Sequence, residues 1–74
     1  MQVEIYSKPN CPNCSASKQL LSMKNVPYTE HIVGETVTRE ALFERFPFVR
    51  SVPVIVIDDE YLGGLAELEK KLAG

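Results

Sequence analysis

The spacing of apolar residues changes several times along this chain, and each change marks an element. Val3-Glu4-Ile5-Tyr6 alternates and reads as a strand. Ser7 to Asn10 is polar and holds a proline, which reads as a turn. A helix is expected to start near Cys11, with Pro12 at its first position, where the missing N–H would have no partner in any case. Ala16, Leu20 and Met23 then recur at helical spacing, and Leu21 lies seven residues beyond Cys14 on a neighbouring stripe. Lys24-Asn25 supplies the end signals, and Pro27 prevents continuation.

Tyr28 to Val33 predicts a second strand, with Tyr28, Glu30 and Ile32 on one face and Gly34 breaking it. Thr38 suits the cap of a second helix, because it precedes Glu40 and an apolar stripe of Leu42, Phe43 and Phe46. Pro47 ends that helix. Val54-Ile55-Val56-Ile57 is β-branched throughout and predicts a strand buried on both faces. Asp58-Asp59-Glu60 makes a turn, Tyr61-Leu62 a short hairpin partner, Gly63-Gly64 a break, and Leu65 to Leu72 a last short helix. The expected order is β-α-β-α-β-β-α, an α/β chain that forms a single domain over residues 1–74, without linker, repeat or low-complexity segment. Its βαβ unit needs a right-handed crossover and a parallel pair, the hairpin adds an antiparallel strand, and helices cover both sheet faces.

Composition narrows the class. With 45% hydrophobic and 24% charged residues the chain is not of the disordered type, though 74 residues leave it a thin core. A net charge of −2 gives no electrostatic reason to expect nucleic acid. The longest apolar run, Val52 to Ile57, falls far short of the roughly 20 residues that span a bilayer. Met1-Gln2-Val3-Glu4 has no basic flank and no signal-peptide core. These features set the expectation of a complete, soluble, cytoplasmic monomer with no membrane partner.

The candidate chemistry rests on Cys11 and Cys14, the two cysteines of the chain. A bridge between them closes a very short loop and restrains little of the unfolded chain, so stapling is a poor explanation. A C-x-x-C at a strand-to-helix junction reads as a redox motif. On a helix, positions i and i+3 share a face, so the two sulfurs can bond. Cys11 at the helix N-terminus has its thiolate stabilised by unpaired N–H groups and the helix dipole, and Lys8 adds a positive charge nearby. Cys14, inside the first turn, is more shielded and stays a thiol until needed. Cys11 then attacks a disulfide sulfur, and Cys14 resolves the mixed disulfide. The same spacing serves half of a zinc site, but a second C-x-x-C is missing and His31 is the one histidine, so that reading is weak and no metal is expected.

Taken in order, Val3-Glu4-Ile5-Tyr6, Ser7-Lys8-Pro9-Asn10, Cys11-Pro12-Asn13-Cys14, Ser51-Val52-Pro53 and Gly63-Gly64 resemble the glutaredoxins from Val3 to about Leu68, with Ser51-Val52-Pro53 similar to that family's Thr-Val-Pro segment. The resemblance implies a thioredoxin fold, a four-stranded mixed sheet flanked by three helices, with a glutathione site beside the disulfide. It implies that Pro53 is cis, in a loop with Ser51 and Val52 that faces Cys11, and that the Val52 backbone pairs with the glutathione cysteinyl group. Lys8 would approach the glycyl carboxylate and Asn13 would flank the site. Gly64 would lie at the site, and the backbone N–H groups after it, from Leu65 and Ala66, would take the γ-glutamyl carboxylate. Glutathione would be the reductant, and disulfide-containing proteins, ribonucleotide reductase among them, the substrates.

Two alternatives stand beside this. A redoxin recycled by thioredoxin reductase and serving ribonucleotide reductase usually has an aromatic-rich C-terminal segment, whereas this chain ends Glu69-Lys70-Lys71-Leu72-Ala73-Gly74. An iron–sulfur carrier using Cys11 and glutathione usually lacks the Pro12 and Cys14 seen here. The chain also departs from its relatives. Asn13 stands where many dithiol glutaredoxins have Tyr, and Ala66, with Glu67 following, stands where an acidic residue is frequent. Phe43, Phe46 and Phe48 are expected in the core, Arg39 and Arg45 on the surface. Lys8 outside the motif would be an ordinary solvated lysine, and Arg50 stands out because it precedes the Pro53 loop.

Overall fold

The computed structural model describes residues 1–73. Its elements are β1 (Val3–Ser7), α1 (Pro12–Met23), β2 (Tyr28–Ile32), α2 (Arg39–Arg45), β3 (Val54–Ile57), β4 (Glu60–Gly63) and α3 (Leu65–Ala73). This is the predicted order. The sheet runs β2-β1-β3-β4. β1 and β2 are parallel, from Val3↔Tyr28 to Ser7↔Ile32, and α1 is the crossover that a parallel pair requires. β3 lies antiparallel to β1 and to β4.

The sheet has a core on each face. Val3, Ile5, Leu21, Ile55 and Leu68 join β1 and β3 to α1 and α3. Tyr6, Leu42, Phe46, Val49, Val54 and Val56 join the other face to α2. β3 feeds both cores with alternate residues, which is why all four of its positions are apolar. Truncating a fully buried leucine such as Leu68 costs about 2–5 kcal/mol, a large part of the stability of a domain this small.

α1 starts at Pro12 and closes with a left-handed residue, Asn25 (φ 58°). The Val26 N–H reaches the Leu21 carbonyl at 2.9 Å and the Asn25 N–H reaches Ser22 at 3.1 Å, the paired bonds of a Schellman turn. The buried face of α1 is Cys14, Ser17 and Leu21. The expected Ala16–Leu20–Met23 stripe lies at the edge of that face, with Leu20 partly buried against the core and Met23 71% exposed. Ser17 disguised the true face. It is polar, yet it buries cleanly because its hydroxyl donates to the Asn13 carbonyl at 2.8 Å.

Thr38 caps α2 as expected, its Oγ1 accepting the Ala41 N–H at 3.0 Å. Phe48, expected in the core, is 61% exposed. Pro47 breaks the helical period after Phe46, so Val49 takes the next core position and Phe48 packs edge-on against Tyr61, with ring centroids 4.8 Å apart. β2 stops at Ile32, one residue early, and Val33 instead forms a lone bridge with Val37 around Gly34. β1 runs one residue further than its alternation suggested, to Ser7. Asp58 and Asp59 both have positive φ, 51° and 66°, as a two-residue hairpin turn between right-twisted strands demands.

Candidate functional site

β1 ends at Ser7, and the chain turns through Lys8-Pro9-Asn10 into Cys11, the cap of α1. Cys11 has extended backbone (φ −114°, ψ 105°), and its Sγ accepts the Cys14 N–H at 3.2 Å. A sulfur thus sits where a capping side-chain oxygen usually does, receiving one of the donors that a helix start leaves free. Cys11 and Cys14 form a disulfide with Cα atoms 5.2 Å apart. Cys14 is 1% exposed and Cys11 lies nearer the surface, so an incoming sulfur meets Cys11 first.

The Val52–Pro53 bond is cis, as the resemblance implied. Behind it stands the Gly63-Gly64 turn. A Cβ on Gly64 would lie 3.4 Å from the Pro53 carbonyl oxygen, so the turn and the proline loop nearly touch. Gly63 is in the positive-φ region (142°), and its missing Cβ leaves room for the Glu67 side chain. Glu67 Oε1 accepts the Gly64 N–H at 2.8 Å, closing the start of α3 from within. That bond holds the Glu67 carboxyl below the usual carboxylate range. The Gly64 N–H is therefore engaged internally, while the two expected donors that follow it, Leu65 and Ala66, head the first turn of α3. The contact has a local sequence signature, a Glu three residues after the residue that starts the helix, Gly64-Leu65-Ala66-Glu67.

On the other side of the proline loop a groove of about 250 Å³ is lined by Lys8, Val33, Arg39, Leu42, Phe43, Arg50, Ser51 and Val52. It brings together Lys8, Ser51 and Val52 of the expected site residues, with Arg39 and Arg50 beside them. The Arg39 guanidinium lies 5.2 Å from the centre of the Phe43 ring. Every charged residue in the lining is a cation. Among the described residues, none of Lys8, Arg39 and Arg50 is in an ion pair. Asn13 is exposed and outside the groove. A larger hollow, about 490 Å³, lies between Met1, Tyr28 and His31 and contains neither cysteine, so size alone does not select the site.

Two charge clusters flank these features. Lys18 Nζ lies 2.8 Å from Glu30 Oε2, and Ser7 Oγ donates to the same oxygen at 2.6 Å. The Lys18 bond first, then that of Ser7, holds the Glu30 carboxyl below its ordinary range. At the far end of α2, Arg45 donates to both oxygens of Glu4 at 2.9 and 3.2 Å, to the Tyr6 hydroxyl at 2.8 Å and to Asp59 at 3.3 Å. His31 Nε2 lies 3.0 Å from Glu4 Oε1. Arg45 is therefore a clamp rather than the solvated charge expected. Its partners sit on β1 and in the β3–β4 turn, a proximity that sequence spacing does not carry.

Two sulfurs that exchange electrons by making and breaking their own bond, one accessible at a helix cap and one buried behind it, define a dithiol oxidoreductase on a thioredoxin-like scaffold. Comparison with known proteins agrees. The family model for glutaredoxin matches residues 3–62, and the chain belongs to the glutaredoxin family, whose members are thiol–disulfide oxidoreductases that work with glutathione. It is 42% identical over 67 residues to glutaredoxin 3 of Escherichia coli, covering 89% of this chain and 80% of that protein. The crystal structure of glutaredoxin 1 from Francisella tularensis superimposes with a TM-score of 0.83 at 29% identity, covering 97% of this chain and 92% of that one. The structure of a buckwheat glutaredoxin–glutathione complex shares the fold, with a TM-score of 0.79 at 22% identity, over 96% of this chain and 67% of that one.

Proposed function

We propose that this protein is a glutathione-dependent dithiol oxidoreductase that reduces glutathione mixed disulfides and protein disulfides. The observation that carries the reading is the cationic groove at the end of β1 where the chain turns into Cys11. Lys8, Arg39 and Arg50 offer donors to a carboxylate with no carboxylate of the protein among the lining residues. Val52, on the wall of that groove, supplies backbone groups for an extended peptide to pair with, as an added strand would. Beyond Pro53, the Leu65 and Ala66 N–H groups head a helix, where an anionic group such as the γ-glutamyl carboxylate is favoured.

The reaction follows from the cap geometry. The Cys14 N–H and the start of α1 stabilise the Cys11 thiolate. Cys11 Sγ attacks the substrate disulfide, one substrate sulfur leaves as a thiolate, and a mixed disulfide forms. With a glutathione mixed disulfide, a glutathione thiolate completes the cycle by displacing Cys11. With a protein disulfide, Cys14 displaces the substrate and closes the Cys11–Cys14 bond, which two glutathione molecules then reduce. The same reading places the protein in the cytoplasm as a monomer, with ribonucleotide reductase among its candidate substrates.

Substitution of the two cysteines tests the assignment. Cys11→Ser abolishes turnover with every disulfide. Cys14→Ser keeps activity on a small glutathione mixed disulfide and loses reduction of a protein disulfide. Activity surviving in Cys11→Ser would sink the dithiol assignment, and loss of both activities in Cys14→Ser would remove the monothiol step. Supplying electrons from glutathione with glutathione reductase, against thioredoxin reductase, separates the two electron sources, and turnover only with the latter overturns the glutathione reading.

A further inference from the structure

Lys18 follows Cys14 by one helical turn, so the two side chains share a face of α1. That face turns to β1 and β2. The Ile5↔Glu30 pairing sets Glu30 on the side of the sheet that carries Val3, Ile5 and the buried Ser7. There one carboxylate oxygen of Glu30 takes the Lys18 ammonium at 2.8 Å and the Ser7 hydroxyl at 2.6 Å, joining three elements below the first turn of α1. Both charged side chains are half-buried, at 32% and 28% exposed. Cys14 is sealed from solvent. A thiol held there is governed by burial, which disfavours its thiolate, and by the net charge of its neighbours. The pair contributes almost no net charge only while both partners are present.

We propose that the Lys18–Glu30 pair is an electrostatic counterweight on Cys14, with Glu30 cancelling the ammonium one turn away so that neither charge alone sets the acidity of the resolving thiol. This rests on the resolving role given to Cys14 above. In that step Cys14 releases its proton to water and its sulfur bonds to Cys11 Sγ. The bond from Cys11 to the substrate breaks, and the departing sulfur takes up a proton as a thiol. The substrate is reduced, the dithiol is oxidised, and no further reactant is needed. Lys18 and Glu30 touch no reacting atom and are positioning residues. Lys18 is the one charged residue of α1. Among the described residues, the other charges on the flanking turn and on α3, which packs against α1, are Lys8, Glu67, whose carboxylate is held by the Gly64 N–H, and the exposed Glu69, Lys70 and Lys71. Glu4 and His31 project from the opposite face, toward α2.

The test titrates Cys14 in the Cys11→Ser protein by thiolate ultraviolet absorbance. Glu30→Gln leaves an uncompensated ammonium and lowers the Cys14 pKa by about half a pH unit, the scale of one charge acting through a partly wet interior. Lys18→Gln leaves a lone carboxylate and raises it by a similar amount. The double variant Lys18→Gln, Glu30→Gln returns it to the starting value, and Lys18→Arg, which keeps the pair, does not move it. A purely structural role shifts both single variants the same way. Shifts of one sign, or none, therefore overturn the proposal. If Glu30→Gln does not fold, the sign in Lys18→Gln decides, with a downward or absent shift overturning it. The titration needs no turnover, so its failure is separate from failure of the resolving role, which Cys14→Ser reads.

Discussion

α2 carries an arginine at each end, Arg39 and Arg45, six residues apart on one short helix. Arg45 is fully committed. It holds Glu4 with two nitrogens, the Tyr6 hydroxyl and Asp59, and lies 5.0 Å from the centre of the Phe46 ring. Arg39 has no acidic partner among the described residues and faces a groove shared with Lys8 and Arg50. Acidic residues outnumber basic ones in this chain, ten to eight, so a shortage of carboxylates does not explain the bare groove. Glu4, Glu30 and Glu67 are engaged in fastening the fold, and three cations without an ion pair among the described residues, Lys8, Arg39 and Arg50, line the groove where β1 turns into Cys11. One residue type thus reads as scaffold or as site according to whether its donors are already filled.

Two substitutions can break this contrast. Arg45→Ala removes every bond at the far end of α2 and is expected to cost about 1–2 kcal/mol, between the values for exposed and buried pairs. Urea unfolding measures that loss, while the KM for glutathione stays within about twofold, a shift too small for one charge-assisted bond. A much larger rise in KM would mean that the clamp also shapes the groove. Arg39→Ala makes the complementary change. It leaves the urea midpoint almost unmoved and raises the KM for glutathione by about three- to tenfold, equivalent to about 1 kcal/mol for one charge-assisted bond. If stability falls and KM does not, Arg39 is a packing residue against Phe43 and the groove has lost one of its three cations.

The same contrast explains what could be read from the sequence. Strands, helices, Thr38, the Cys11–Cys14 junction and the cis Val52–Pro53 bond were legible because each rests on spacing within a few residues or on a contiguous motif. Ser17, between Cys14 and Leu21 on the buried stripe, is hidden from the pattern because a serine bonded to its own helix counts as polar in any hydropathy pattern. Phe48 was misplaced because Pro47 shifts the period by which a core position is inferred. Arg39 and Arg45 could not be separated at all. What distinguishes them is that Glu4, distant in the chain, bonds one, while the other has no ion pair among the described residues.

Acid gives the gentlest probe of the partnered end. The Arg45 hydrogen bond is the main reason that the Glu4 carboxyl lies below its ordinary 4.5, with burial opposing and His31 assisting. Lys18, then Ser7, depresses Glu30 in the same way. A carboxyl whose folded value lies below its unfolded one contributes stability that is complete above the unfolded value, because both states are then ionised. As pH falls through the interval between the two values the unfolded chain binds more protons, and the contribution is lost. Stability is therefore expected to be flat with respect to these two groups from neutrality to about pH 5 and to decline below about pH 4.5. Glu4→Gln is less stable than the parent above that point but declines less steeply below it. Urea midpoints over this range check the slope. If the variant declines as steeply as the parent, the contact between Arg45 and Glu4 is not what depresses this carboxyl, and the clamp is weaker in solution than its bond lengths suggest.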